Sequence, residues 1–432
     1  MTPKGHPEYF KAVPACFLLT ILIAFNSCKT PQPVSALKKG EKAPSPPGET
    51  LEVEILEPPR PPNISTLEKL PKPAPELDQP STENTLSLLI RKMTLSQKIG
   101  QRLITWIPGT SMNGRVASLI EKGYVGGIIL NSHNIASRTQ VRELTGKLQQ
   151  LALSMQPPIG LFIAVDQEGG RVSRLMFREI TRFPPPFYLG EYNDPSLIRA
   201  VAFITGTEIR NLGCNMNLAP VLDLYPKADR TVIGDRSLGK DPHQVADFGV
   251  HYLEGAVSAG IIPVVKHFPG QGASTVDSHR ALPVISASEE HLKEVDLVPF
   301  QAAVENGAKA VMTAHALYTD LDPEFPSTLS VKIVNQLLRE QIGFNGVVIS
   351  DAIEMAALRN TYSLETILER CIKAGIDLIL INDHYDALDL KEILVSLVRS
   401  GNISEPEIDQ GVKRILRLKM EYNLIPSQIG YK

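Results

Sequence analysis

Short apolar, β-branched runs recur along the chain with helical stretches between them, and this alternation constrains the fold more than any other feature. The runs are Val125 to Leu130, Leu161 to Val165, Met216 to Val221, Ile261 to Val265, Ala310 to Thr313, Gly346 to Ile349 and Leu378 to Ile381. They lack polar alternation, as expected of parallel strands covered on both faces. Between them the spacing predicts helices over Ser137 to Met155, Ser196 to Leu212, Pro242 to Ala259, Glu289 to Glu305 and Val331 to Gln341. Such repeated alternation predicts an α/β fold with a parallel sheet. Seven clear strands and a weaker eighth fit a closed (β/α)8 TIM-type barrel, a single catalytic domain. An open doubly wound sheet is the alternative, disfavoured because no glycine-rich dinucleotide fingerprint follows the first run. Thr94 and Gln97 fit a capping box that opens a helix, which Ile99, Leu103 and Ile104 continue across one end of the barrel. Ile408 to Tyr422 reads as an amphipathic closing helix.

Composition separates the N-terminal part from this barrel. Lys4 and Lys11 precede an apolar run, Ala12 to Phe25, which Asn26, Ser27 and Cys28 follow. The run is short of the roughly 20 apolar residues of a membrane span and reads as an export signal. Residues 1–28 resemble a bacterial lipoprotein signal, which implies lipidation at Cys28 and a membrane-anchored protein facing the periplasm or cell exterior. An ordinary signal, or an uncleaved anchor with an incidental Cys28, is the alternative. Residues 29–84 hold 13 of the 34 prolines, interleaved with Ser, Lys and Glu. This composition predicts a disordered tether, leaving 85–432 for the barrel. The net charge of -3 carries no basic stripe for nucleic acid and no acidic tail. Cys214 and Cys371 lack metal-like spacing and are expected to be buried free thiols.

Polar residues gather at the ends of the apolar runs. In IIPVVKHFPGQGASTVDSH (Ile261 to His279), Lys266 and His267 sit where the strand is expected to stop. Pro269, Gly270 and Gly272 then break regular structure, and the loop ends in Asp277, Ser278 and His279. Asp166, Glu168, Arg171 and Arg174 follow Leu161 to Val165; Ser350 and Asp351 end Gly346 to Ile349; His315 follows Ala310 to Thr313. Carboxylates and basic groups at the C-terminal rim of a barrel imply a site for a polar small molecule. His267, Asp277, His279, His315 and Asp351 are metal ligands in type, but their spacing matches no familiar metal motif and Lys266 would set a cation beside another.

VDQEGGRVSRL (Val165 to Leu175), KHFPGQG (Lys266 to Gly272) with DSH (Asp277 to His279), and VVISDAIEM (Val347 to Met355) resemble the ordered signature of glycoside hydrolase family 3. The resemblance is narrower still to its β-N-acetylglucosaminidase branch and spans essentially the whole folded region. It implies that Asp351 is the nucleophile of a retaining reaction and that His279, partnered by Asp277, is the general acid/base. Physical chemistry agrees, since imidazole titrates near neutral pH and an adjacent carboxylate favours its protonated form. By the same resemblance Asp166, Arg174, Arg236, Lys266 and His267 bind the sugar; a rim salt bridge is the other reading of Arg236. Glu168 and Arg171 are expected near the pocket, with bracing of the loop as the simpler reading; Glu354 reads as a helix residue or one behind the site, and His315 either approaches the sugar or supports the site from behind. Gln271 stands where the family usually has a second histidine. The loop Gly270 to His279 is expected to close over substrate.

The implied activity is exo-β-N-acetylglucosaminidase action on peptidoglycan fragments by a monomer, with no cofactor or metal. Chitooligosaccharides, phosphorolysis, a metal-dependent barrel hydrolase and a non-catalytic glycan-binding lipoprotein are the competing readings.

Overall fold

The computed structural model describes residues 79–225 and 232–426. The expected signal and almost all of the expected tether lie outside these residues. Helix α1 (Gln79–Lys92) starts a few residues ahead of the Thr85 boundary expected from composition. Its position is set by contacts that composition does not reveal. Glu83 pairs with Lys413 at 2.6 Å and also with Arg417, and the i, i+3, i+4 set Leu86, Leu89 and Ile90 is buried.

The capping box at Thr94 is present, with Thr94 N–H donating to Gln97 Oε1 (2.9 Å) and Gln97 N–H to Thr94 Oγ1 (3.3 Å). Helix α2 (Leu95–Gln101) then ends earlier than expected, and Leu103–Thr105 is barrel strand β1. Ile99 and Leu103 share helical spacing, so periodicity alone could not separate the two elements. What decides it is tertiary: Leu103 and Thr105 lie in register with Ile379 and Ile381 of one neighbouring strand, and Thr105 with Ile128 of the other. This is the eighth strand that the pattern left weak.

The remaining barrel strands are β2 (Gly127–Leu130), β3 (Phe162–Val165), β4 (Met216–Asn217), β5 (Ile262–Phe268), β6 (Ala310–Thr313), β7 (Val347–Ser350) and β8 (Ile379–Ile381). They pair in parallel in sequence order. The Ile349 to Leu378 bridge joins β7 to the chain entering β8 and closes the barrel. Strand β5 runs beyond the expected stop, so Lys266 and His267 lie inside it. Its extra pairing includes the Val221 to Lys266 bridge and a 2.7 Å bond from Leu222 N–H to Lys266 O.

Alternation along the strands sorts the core into two shells. Ile104, Ile129, Ala164, Val264, Met312, Ile349 and Leu380 fill the barrel, while Leu103, Ile128, Ile163, Val265, Val348 and Ile379 pack outward under the helices. Ile104 is fully buried, so its truncation to Ala would cost about 2–5 kcal/mol. Cys214 and Cys371 are free and buried, and burial pushes both thiols up to about 12.

Candidate active site

A cleft of about 720 Å³ opens at the C-terminal mouth of the barrel. Met312 and Leu380 contribute apolar lining, and Asp166, Glu168, Arg174, Arg236, Lys266, His267, Gln271, His279 and Asp351 line it with polar groups. Seven of the eight residues expected in the site therefore meet here, and the eighth, Asp277, is hydrogen-bonded to His279.

The first wall is a hairpin after β3, in which Gln167–Gly169 pairs antiparallel with Val172–Ser173. Gln167 ties it down: its N–H donates to Asn217 Oδ1 (3.0 Å), and its Oε1 accepts from the N–H groups of Arg174 and Leu175 (3.0 and 3.1 Å). Glu168 thereby points inward and is buried. Lys266 Nζ lies 2.6 Å from it, and Arg236 binds it with Nε and Nη2, both at 2.8 Å. Burial raises the Glu168 pKa, but Lys266 and Arg236 outweigh burial and hold the carboxyl well below its usual range. Burial would likewise lower Lys266, yet Glu168 and Asp166 leave it raised and charged. Lys266 Nζ also donates to Asp166 Oδ1 (3.0 Å), and Arg174 approaches Asp166 Oδ2 at 3.6 Å. Glu168 is thus the centre of the ionic network, more than the loop brace expected from sequence. Arg236 is both a rim ion pair and part of the cleft.

Asp223, which sequence reasoning missed, is the second fixed point. It is buried, accepts from His267 Nδ1 (2.6 Å) and Gln271 N–H (2.7 Å), and is approached by His267 N–H at 3.2 Å. Its signal was an aspartate just past the Met216 to Val221 run, the position that singles out Asp166 and Asp351 on their own strands. Its hydrogen bond assigns the Nδ1 proton of His267 and leaves Nε2 for the cleft.

Asp351 follows β7, and its Oδ1 accepts from Ala352 N–H (2.8 Å). Burial raises its pKa, but His315, His267, that N–H and Lys266 together hold it below the usual carboxylate value. It is therefore ionised at neutral pH, as a nucleophile must be. His315 is fully buried, bonded through Nε2 to Ala352 O (3.0 Å) and through Nδ1 to Thr328 Oγ1 (2.8 Å). Burial lowers its pKa against the pull of Asp351, and its two hydrogen bonds let it support the Asp351 loop from behind. Glu354 is also buried, and among the described residues no side-chain donor reaches its carboxylate. Burial, with Asp351 and Asp383 adding to it, moves Glu354 up to about 7.

The opposite wall is the loop after β5. Gly270 has φ +123°, and a Cβ there would fall 2.8 Å from Asp296 Cβ; at Gly272 it would fall 2.0 Å from Leu224 O. Both positions therefore require glycine. The loop delivers Asp277, whose Oδ1 accepts from His279 N–H and Nδ1, each at 2.9 Å. Burial acts to raise Asp277, but these bonds and the His279 charge keep it lowered. The pairing fixes the Nδ1 proton of the exposed His279 and leaves Nε2 for proton transfer. Among the described residues no three or more His, Cys, Asp or Glu side chains converge as metal ligands.

An ionised carboxylate, a histidine held by its own aspartate and a ring of paired donors and acceptors at the mouth of a barrel define a hydrolase site for a polar, hydroxyl-rich substrate. Residues 94–418 match the model of the glycosyl hydrolase family 3 N terminal domain. The chain belongs to glycoside hydrolase family 3. It is 36% identical over 298 residues to a beta-hexosaminidase of Nitrosomonas eutropha, covering 67% of this chain and 82% of that one. It is 37% identical over 286 residues to a beta-hexosaminidase of Xylella fastidiosa strain M23, covering 65% and 82%. Among solved structures, a family 3 beta-N-acetylglucosaminidase from Paenibacillus sp. FPU-7 matches with TM-score 0.75 at 38% identity, covering 78% of this chain and 64% of that chain. A beta-N-acetylhexosaminidase from Beutenbergia cavernae matches with TM-score 0.72 at 27% identity, covering 76% and 99%.

Proposed function

We propose that this enzyme is a retaining exo-β-N-acetylglucosaminidase that removes terminal GlcNAc from peptidoglycan fragments. The observation that carries the reading is the meeting of ionised Asp351 and the Asp277–His279 pair in one cleft. Asp351 attacks the anomeric carbon as the glycosidic C–O bond breaks, and His279 gives its proton to the leaving oxygen. His279 then takes a proton from water, whose oxygen attacks the same carbon and releases Asp351. Asp277 stabilises the imidazolium form that the first step requires. Asp166 accepts from sugar hydroxyls, Lys266 and Arg174 supply cations and hydrogen-bond donors around them, and His267 presents Nε2; Arg174 Nε is a buried donor without a partner among the described residues.

The β-hexosaminidase names of the relatives support the acetamido sugar, and the N-terminal sequence supports export and anchoring at Cys28, hence a substrate outside the cytoplasm. Release of nitrophenol from 4-nitrophenyl β-N-acetylglucosaminide, compared with the β-glucoside, tests the sugar. The full chain should turn over only the first, and Asp351→Ala should abolish it. GlcNAc release from purified muropeptides, set against chitobiose and with and without phosphate, tests the aglycone and the acceptor. Preference for chitobiose, or a requirement for phosphate, would overturn that part of the proposal.

A further inference from the structure

The groups assigned above occupy only part of the barrel rim. Alternation sends every second side chain inward, and the inward rows run Ala164 to Asp166 on β3, Val264 to Lys266 on β5 and Ile349 to Asp351 on β7. The same count places Trp106 after Ile104 on β1, Asn131 after Ile129 on β2 and Asn382 after Leu380 on β8. None of these three takes part in the proposed chemistry.

Trp106 is half-buried and packs on the barrel-interior cluster that contains the cleft residues Met312 and Leu380. Its backbone N–H donates to Ile381 O (3.2 Å), which fixes the chain at this point beside β8. His133 meets its ring edge-on with centroids 5.9 Å apart, and the Arg115 guanidinium stands 5.9 Å from the ring centre. Next to it, Asn131 Nδ2 donates to Asn382 Oδ1 (2.9 Å), bridging β2 and β8 across β1. Around the closed barrel β1 lies two strands from β7, so the backbones at Trp106 and Asp351 stand roughly 10 Å apart, and Trp106 lines the pocket next to the cleft with Arg115 and Tyr385. That spacing is within reach of the second ring of a disaccharide whose first anomeric carbon lies at Asp351.

We infer that Trp106, with the Asn131–Asn382 pair beside it, is the platform for the second sugar ring, so that the cleft selects β-linked glycans of two or more rings. An aromatic face suits the apolar C–H face of a pyranose, and carboxamides suit its hydroxyls. The inference rests on the GlcNAc reading of the cleft.

Trp106 is the only tryptophan in the chain, so its emission reports on the platform without a label. Full-length Asp351→Asn is titrated with GlcNAc, chitobiose and chitotriose, following fluorescence and calorimetry in parallel. Chitobiose and chitotriose should shift the emission and bind on the order of tenfold more tightly than GlcNAc, which should bind without moving it. Chitobiose binding with unmoved emission overturns the platform while leaving the GlcNAc reading intact. No heat from any of the three sugars removes the GlcNAc reading and the platform with it. In the active chain, Trp106→Ala should lower kcat/KM for chitobiose about tenfold more than for GlcNAc β-azide, whose leaving group cannot reach the ring. An unchanged ratio in a folded variant overturns the assignment.

Discussion

Replacing Glu168 by alanine should both destabilise the barrel and disarm the cleft. The Glu168 side chain is 1% exposed and holds Lys266 at 2.6 Å and Arg236 through two 2.8 Å bonds, and the Lys266 side chain is itself only 3% exposed. Removing one partner of a buried ion pair costs about 3–5 kcal/mol, because the surviving charge is left uncompensated. Lys266 retains Asp166 at 3.0 Å, so the lower end applies, about 3 kcal/mol. In a domain of this size that corresponds to a fall in Tm of roughly 4 °C. The pH dependence has a defined sign. The Glu168 carboxyl is held below its unfolded value of 4.5, so its contribution is present above that pH and lost as pH falls through the depressed native value. Urea unfolding of the full chain and of Glu168→Ala should therefore differ most near pH 7 and converge in strong acid. The same variant should lose kcat/KM, because Lys266 and Arg236 are no longer aimed. A Glu168→Ala midpoint at pH 7 within about 1 kcal/mol of the parent would refute the reasoning, since a buried cation cannot lose its counter-ion so cheaply.

Three further outcomes follow from the same geometry. Asp223→Asn leaves the donors at His267 Nδ1 and Gln271 N–H facing an amide, and should cost about 2 kcal/mol of transition-state binding, roughly thirtyfold in kcat/KM; unchanged kinetics in a folded variant would remove Asp223 as a positioning residue. Gly272→Ala places a Cβ 2.0 Å from Leu224 O, so the His279 loop must shift and kcat should fall with little change in KM for nitrophenyl substrate; parent-like kcat would contradict this. Glu354, moved up to about 7 by burial, contributes stability that is intact below its unfolded value of 4.5 and lost as pH rises through 7. Glu354→Gln should therefore match the parent in thermal melts near pH 5 and exceed it by a few kcal/mol at most at pH 8; a gain confined to acid pH would reverse the argument.

The strand–helix alternation, the C-terminal rim and the positions of Asp166, Lys266 and Asp351 were legible because each rests on local pattern: an apolar run, then a polar residue two positions past the last inward-facing one. The roles of these residues, and of Arg174, Arg236, His267, Asp277 and His279, were read only through the family resemblance. Where local patterns coincide, the reading failed. Ile99 and Leu103 satisfy a helix as well as the end of one helix and the start of β1, and only pairing with β2 and β8 separates them. Polar Lys266 and His267 marked a strand end by composition, although the backbone goes on pairing through Phe268. What Asp223 and Glu168 do is not written beside them, since they meet His267 and Arg236 from 44 and 68 positions away.

The sequence alone therefore determined the class of fold, the face of the barrel that carries chemistry and the family, because inward alternation and short contiguous motifs are properties of neighbours along the chain. The tertiary structure decided the rest: which carboxylates are ionised, which nitrogen of His267 and of His279 is held, and that Glu168 joins Lys266 to Arg236. Those depend on burial and on charges brought together from distant segments, and such interactions exist only once the barrel has closed.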